Sequence, residues 1–452
     1  MGISRVFDLS RRSLATYQRA LDVTSHNIAN AANPNFTRQR INFVAEKPEL
    51  QSGFVWGTGV KMDQLQRVRN TLADTQLRST MPRFYDNQSK SAMLGQIEAV
   101  LTEPSELGVS TLMNSFFNSW SELAVSPNSA PLRSDVIQTA QRLATKVANI
   151  HSELDQMRSD ILNEYKTKVN ALNHHLKDLQ SLNSQIVEFK AIGNSAGDLE
   201  DQRDAIIDEI SKLANVNIQR DKAGSINLSI GGIYAADSSN YVEFQVGTKN
   251  GKLSIVAPDG TMPTSLNSGE LNALSTVYTD KIPGYLEKLD VVISKMMTEV
   301  NTLHSSAYTL GENPLSGINF FEDYSGGELK INSRIVNDPN MIAVSADGSA
   351  GNGNIAVSLS ELGTKKILNG TTLAENYQSL ISELGHDKIS ADETATSNEF
   401  VIQQLEAQKV SYSGVSIDEE MTNVIRFQRS YDAAAKLIKV ADEMLQTLIQ
   451  MV

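Results

Sequence analysis

Residues 136–161, VIQTAQRLATKVANIHSELDQMRSDI, decide the architecture. Apolar side chains fall at Val136, Ala140, Leu143, Val147, Ile150, Leu154, Met157 and Ile161, alternating steps of four and three. That spacing places them along one face of an α-helix with a seven-residue repeat. A four-residue slip carries the stripe on through Tyr165, Val169, Leu172, Leu176, Leu179 and Ile186, the pattern of a stutter that locally unwinds a coiled coil. A rod-like helical domain follows from it. Gly193 to Gly197 breaks the pattern, and Leu199 to Leu213 forms one further helix.

The period changes on either side. From Val216 to about Leu266 short alternating runs, among them Ile226 to Ile230 and Tyr241 to Val246, are separated by Gly231-Gly232, Asn250-Gly251 and Asp259-Gly260, which predicts antiparallel β structure. Helix resumes from Leu271 to about His304, with an interruption expected near Pro283-Gly284. Short strands follow from Leu310 to Val357, then helix to the end. Upstream, the first helix stops near Asn33-Pro34 because proline cannot continue it. Gln39 to Phe43 and Val60 to Val68 are extended, around turns at Gly53, Gly57 and Gly59. The fold expected is mainly α with an inserted β domain: an elongated multi-domain rod with a long helical bundle and an antiparallel β insert, its terminal helices pairing as a coiled coil. The divisions expected are residues 1–40 plus 415–452 for terminal assembly, 41–215 plus 270–414 for the helical rod, and 216–269 for the insert.

The ends carry matching stripes. Ile3, Phe7, Leu14, Tyr17, Leu21 and Ile28 follow an a/d heptad, with Ser10, Thr24 and Ala31 in the weaker places. Val424, Phe427, Tyr431, Ile438, Leu445, Leu448 and Val452 do the same, with Ala434 and Ala441 between them. Each helix offers one narrow seam and needs a partner, either the other terminus or a neighbouring copy. Up to residue 40 the bases Arg5, Arg11, Arg12, Arg19, Arg38 and Arg40 outnumber the acids, whereas acids dominate the last helix, so the two ends attract.

Composition narrows the chemistry. A chain of 452 residues with a net charge of -13 divides into several domains and repels a phosphate backbone, so nucleic acid is not an expected partner. There is no cysteine, which removes disulfides, thiolate metal sites and cysteine nucleophiles. Arg5, Asp8, Arg11 and Arg12 interrupt any secretory h-region, and no apolar run reaches the roughly 20 residues a membrane span needs. No membrane partner is expected, and export would use a route that reads no cleaved signal. His26, His151, His174, His175, His304 and His386 lack metal-ligand spacing and are expected on the surface or in seams. Asp347 to Gly353 lacks the Lys-Ser/Thr and following helix of a phosphate loop, and Asp418-Glu419-Glu420 suits a helix N-terminus after Ser416. No catalytic, cofactor or metal site is expected.

The tail of the first helix, Leu21 to Ala31 (LDVTSHNIANA) followed by Pro34-Asn35-Phe36-Thr37-Arg38-Gln39, resembles the signature of the bacterial flagellar rod, hook and hook-associated proteins. Gly57-Thr58-Gly59-Val60 with Arg67, Val300 to His304 leading to Phe320-Phe321, and Ser416 to Met421 with Ile425 to Tyr431 narrow the likeness to the hook-associated junction proteins, the first between hook and filament. His26, Asn33, Asn35 and Ala307 depart from that pattern, where asparagine, threonine, glycine and glycine are usual. Asn35 is expected to keep a left-handed turn.

The resemblance implies a secreted structural subunit, exported unfolded by the type III pathway and assembled at the hook–filament junction into a ring or tube segment. Its partners would be copies of itself, the hook protein, the next junction protein towards the filament, and a cytoplasmic export chaperone covering Val424, Ile438, Leu445 and Val452. The assembly residues would be the two stripes together with Asn27 and Asn30. Other flagellar axial proteins (flagellin, hook, rod or filament cap) remain the alternative. A flagellum-borne peptidoglycan hydrolase is a further one, and would need a constellation among Asp221, Asp237, Glu243 and Asp259.

Overall fold

The computed structural model describes residues 2–51, 53–101, 105, 107–221, 223–263 and 266–451. Helix α1 (Gly2–Ala29) leads into β1 (Gln39–Ala45), a small hairpin of β2 (Glu49–Gln51) and β3 (Phe54–Trp56), and β4 (Val60–Arg67), which pairs antiparallel with β1. Three helices follow: α2 (Thr71–Leu101), α3 (Val109–Val125) and α4 (Ala130–Ala191), the last 62 residues long. Next come α5 (Gly197–Leu213) and the antiparallel β5 (Val216–Arg220), β6 (Ile226–Ile230) and β7 (Ile233–Ala236), then the ribbon β8 (Gln245–Lys249) and β9 (Lys252–Val256). The chain returns through α6 (Glu270–Thr276) and α7 (Ile282–Ser306) to β10 (Phe321–Ser325), β11 (Glu328–Ile331), α8 (Ser333–Asn337) and α9 (Asn354–Glu361). It ends in α10 (Leu373–Ser413) and α11 (Ile417–Gln450). The mainly helical architecture with small antiparallel sheets is the one the sequence predicts.

Helix α4 is the spine. Every apolar stripe position from Val136 to Ile186 is buried except Met157, which is partly covered. No single partner helix runs its length: α3, α5, α6, β7, β8 and β11 cover it in turn. The stutter therefore serves a change of partners along the helix. Most apolar residues of both sheets between 216 and 256 belong to this same core.

Asparagine side chains join helix to strand by one repeated device. An amide offers a donor and an acceptor side by side and so copies a strand's edge. Asn173 receives the Phe244 N–H at 2.8 Å and donates to its carbonyl at 2.8 Å. Asn183 holds Ile226 at 3.2 and 3.0 Å, and Asn301 holds Phe321 at 2.9 and 2.9 Å. Each clamp pairs a backbone group that would otherwise be buried and unsatisfied.

Three expectations need correction. The irregularity in the sixth and seventh helices lies at Val277–Lys281, a π turn, and Pro283 sits in the first turn of α7. Proline lacks an N–H and crowds the carbonyl four residues back, and the wider π turn upstream accommodates both. Asn35 does not take the left-handed conformation: among the described residues only Asn250 and Asn369 do so without being glycine. Its N–H is held by the Asn33 side chain at 3.1 Å, so the turn forms by asparagine chemistry. Ala307 has φ -86 and extended backbone, which needs no glycine.

The third correction concerns histidines, since His151 and His304 are buried in the body. His151 Nε2 meets Asp290 at 2.8 Å, and Tyr324 donates to the same carboxylate. His304 lies against Trp120 and Phe320, with Nδ1 donating to the Ile318 carbonyl at 2.6 Å and Nε2 accepting the Ala343 N–H at 3.0 Å. That pattern requires the neutral ring. Burial pushes its pKa down from 6.5 to about 4. The unfolded chain therefore takes up a proton that the folded one refuses. Stability is full above pH 6.5 and falls by about 3 kcal/mol as pH drops towards 4. Urea unfolding of His304→Gln should show lower stability at pH 7 and a shallower loss between pH 6.5 and 4; a slope equal to the wild type's would contradict this.

Candidate assembly interface

The terminal helices form their own unit. α1 and α11 run antiparallel, with Asn27 opposite Glu420, and Tyr17 and Phe427 both against Phe43 of β1 at ring separations of 6.3 and 5.8 Å. Small side chains lie on the line of closest approach: Ser10, Ala20, Thr24, Ala434 and Ala441 are all buried. Helices come closest where side chains are small, which moves the large residues to the flanks. Accordingly Ile3, Phe7, Leu14, Tyr17, Leu21 and Ile28 are only half-buried, as are Asn30, Val424, Phe427, Tyr431 and Ile438. Leu445 and Leu448 are exposed, and Val452 lies outside the described residues. The last turns of α11 reach past the start of α1: 24 residues back from Asn27 is Ile3, and 24 forward from Glu420 is Met444.

Asn27 is fully buried and ties three segments together. Its Oδ1 accepts the Gln39 N–H at 3.0 Å, and its Nδ2 donates to the Gln39 carbonyl at 2.8 Å and to Glu420 Oε2 at 3.2 Å. Arg38 bridges Glu420 at 2.6 Å and Glu419 at 2.7 Å. Ser416 caps α11 by accepting the Glu419 N–H, as the sequence predicts. Glu420 has a second role that capping does not cover. It is 2% exposed, and Asn27 and Arg38 hold its charge. The signal was invisible in the chain because the partners lie 393 residues apart. Asn30 bonds only within its own helix end, to the His26 carbonyl at 3.0 Å and the His26 ring.

Two surfaces stay open. A cavity of about 960 Å³ separates α1, the β1–β4 ribbon and α11, with Arg38, Phe43, Glu420, Arg426 and Phe427 on its walls. Outward-facing apolar residues run along α11: Met421, Ile425, Leu437, Val440, Met444 and Leu448, each 46–53% exposed. Apart from Leu448, this second stripe escaped the heptad reading, which follows the inner seam.

Three of the four carboxylates that the sequence left open as a constellation serve their own turns. Asp221, Asp237 and Asp259 each accept N–H groups of their own turns, from Ser225, from Ser239 and Asn240, and from Thr261. Among the described residues no group of three or more histidine, aspartate and glutamate side chains could hold a metal, and no helix is long and apolar enough to cross a membrane.

Residues 94–321 match the family described as the flagellar hook-associated protein FlgK helical domain, and residues 406–451 match the flagellar basal body rod FlgEFG protein C-terminal family. The chain is 30% identical to flagellar hook-associated protein 1 of Bacillus subtilis (strain 168), over 98% of this chain and 97% of that one. It is 21% identical to flagellar hook-associated protein 1 of Escherichia coli (strain K12), over 99% and 100%. The solved flagellar hook junction protein FlgK from Burkholderia pseudomallei superposes with a TM-score of 0.64 at 12% identity, covering 75% of this chain and all of that one, a likeness of fold.

Asn27→Ala should leave the Gln39 backbone unpaired and loosen the terminal unit by about 3 kcal/mol. Hydrogen exchange should show α1 amides losing protection while those of α4 keep it. Asn27→Asp, which loses the donors and sets a carboxylate beside Glu420, should be at least as damaging; unchanged α1 protection in both variants would contradict the assignment.

Proposed function

Because the chain belongs to the flagellar hook-associated protein 1 family and is a structural component of the flagellar hook–filament junction, we propose that it works by completing its terminal helix pair with those of neighbouring copies in a ring or tube segment. The hook protein would lie on one side and the next junction protein towards the filament on the other. The observation that carries this is the inverted burial of the terminal pair, small residues covered and large ones half-open. Fully covering the six residues of the outer α11 stripe, already about half-covered, contributes on the order of 5–10 kcal/mol at about 1.5–3 kcal/mol per side chain. Association costs roughly 4–15 kcal/mol, so one such contact holds two copies weakly and several neighbours must act together. A heterologous contact that repeats from copy to copy gives the open lattice a tube requires.

A structural role, without catalysis, accords with the names of the relatives and with carboxylates spent on turns. The same exposed helix explains a need for cover before assembly. We assign Val424, Ile438, Leu445 and Val452 to an export chaperone and secretion to the type III route, with the mature protein outside the cell.

A deletion strain should build hooks without filaments and shed flagellin into the medium, seen by electron microscopy and blotting; normal filaments would refute the junction role. A chain ending before Ile417 should fail to pull down the chaperone, and undiminished binding would remove α11 as its site.

A further inference from the structure

The terminal unit shares no apolar core with the helical body: among the described residues no side chain of α1, β1, β4 or α11 belongs to either hydrophobic cluster. Two covalent links join the parts, residues 68–70 and 414–416. Besides the Arg38 N–H, which donates to the Ser413 carbonyl at the end of α10 at 3.0 Å, what holds the unit at one angle is a polar contact with the first half of α5. Asp198 accepts from Gln39 Nε2 at 2.7 Å and meets the His26 ring at 3.2 Å. Asp201 accepts the Thr37 N–H at 2.9 Å. Arg67, at the end of β4, reaches Glu200 at 2.9 Å, Asp201, and Asp204 at 3.0 Å.

We propose that these acids on the first two turns of α5, closed on Thr37, Gln39 and Arg67, are a latch that sets the angle between the terminal helix pair and the body, and that releasing it frees the unit to swing about its two links. Charges as buried as those of Arg67, Asp201 and Asp204 add little net stability, but they demand one geometry. Arg67 and Asp201 are each 8% exposed on the side chain. Burial raises the Asp204 pKa, yet Arg69, Arg78 and Arg67 overcome it and hold the carboxylate well below its usual range. Arg78 of α2 and the link residue Arg69 hold Asp204 in place whether or not Arg67 is present. The latch closes on a fixed post. Room for movement exists beside it, in a cavity of about 910 Å³ between the Asn30–Arg38 turn, α5 and the residues around Gly414. A Cβ at Gly414 would lie 2.4 Å from the Val410 carbonyl, so the α10–α11 link starts tight against the end of α10 and needs glycine there.

The absence of cysteine lets two be introduced cleanly. Spin labels at Gln428→Cys on α11 and Glu188→Cys on α4 report the angle by pulsed electron resonance on the full chain. One narrow distance is expected with the latch intact. Asp198→Ala/Asp201→Ala, which leaves Arg67 paired with Glu200 and Asp204, should widen the distribution at least twofold with an unchanged helical circular-dichroism signal. Arg67→Gln should do the same from the opposite side, and if either variant loses its helical signal the other decides. A distribution as narrow as the parent's in a folded variant, or a parent already as broad as the variants, overturns the proposal.

Discussion

The buried amide of Asn27 is the contact on which the terminal unit depends. One side chain pairs both backbone groups of Gln39 and spends its remaining proton on Glu420, so helix α1, strand β1 and helix α11 meet at a single point. An amide does this because its donor and acceptor lie in one plane at strand spacing. Three more asparagines repeat the clamp inside the body. Asn183 and Asn301 meet the first residue of a strand, and Asn173 meets the residue just before β8, whose backbone groups must likewise be paired.

The two halves of the molecule are stabilised in opposite ways. The body buries a continuous apolar core from Met93 to Leu384, with Trp120, Phe116, Phe320 and Phe321 packed at its centre. The terminal unit buries small and polar side chains and leaves its large apolar ones half-open. A folded monomer gains little from that arrangement, because half-covered side chains contribute only part of their burial free energy. The uncovered area is the surface that we propose neighbours of the same kind cover, presented in a direction that the proposed latch on α5 would set.

Much of this was legible in the sequence. The α4 stripe, the break at Gly193 to Gly197, the antiparallel runs after Val216 and the pairing of the termini follow from periodicity and turn residues, which are local signals. Partners far apart in the chain were not legible. Glu420 looked like a helix-capping acid, Arg67 like a residue of the family pattern without a role, and nothing in the pattern singled out Asp198 or Asp201. Their meaning depends on contacts more than one hundred residues away in sequence. The heptad reading also named the right seam but the wrong depth: it ranked residues by apolar bulk, whereas closeness of approach favours Ser10, Ala20, Thr24, Ala434 and Ala441. His304 was expected on the surface or in a seam for want of metal-ligand spacing, and only the tertiary fold supplies the Ile318 and Ala343 backbone groups that hold its ring.

The central claim is that the outer face of α11 is open in one chain and closed by neighbours. It is tested most directly by maleimide labelling of Val440→Cys, the single thiol in an otherwise cysteine-free protein. The account predicts rapid labelling of the purified monomer and at least tenfold slower labelling of the same residue in isolated hook–filament junctions. Equal labelling rates in the two states would contradict it.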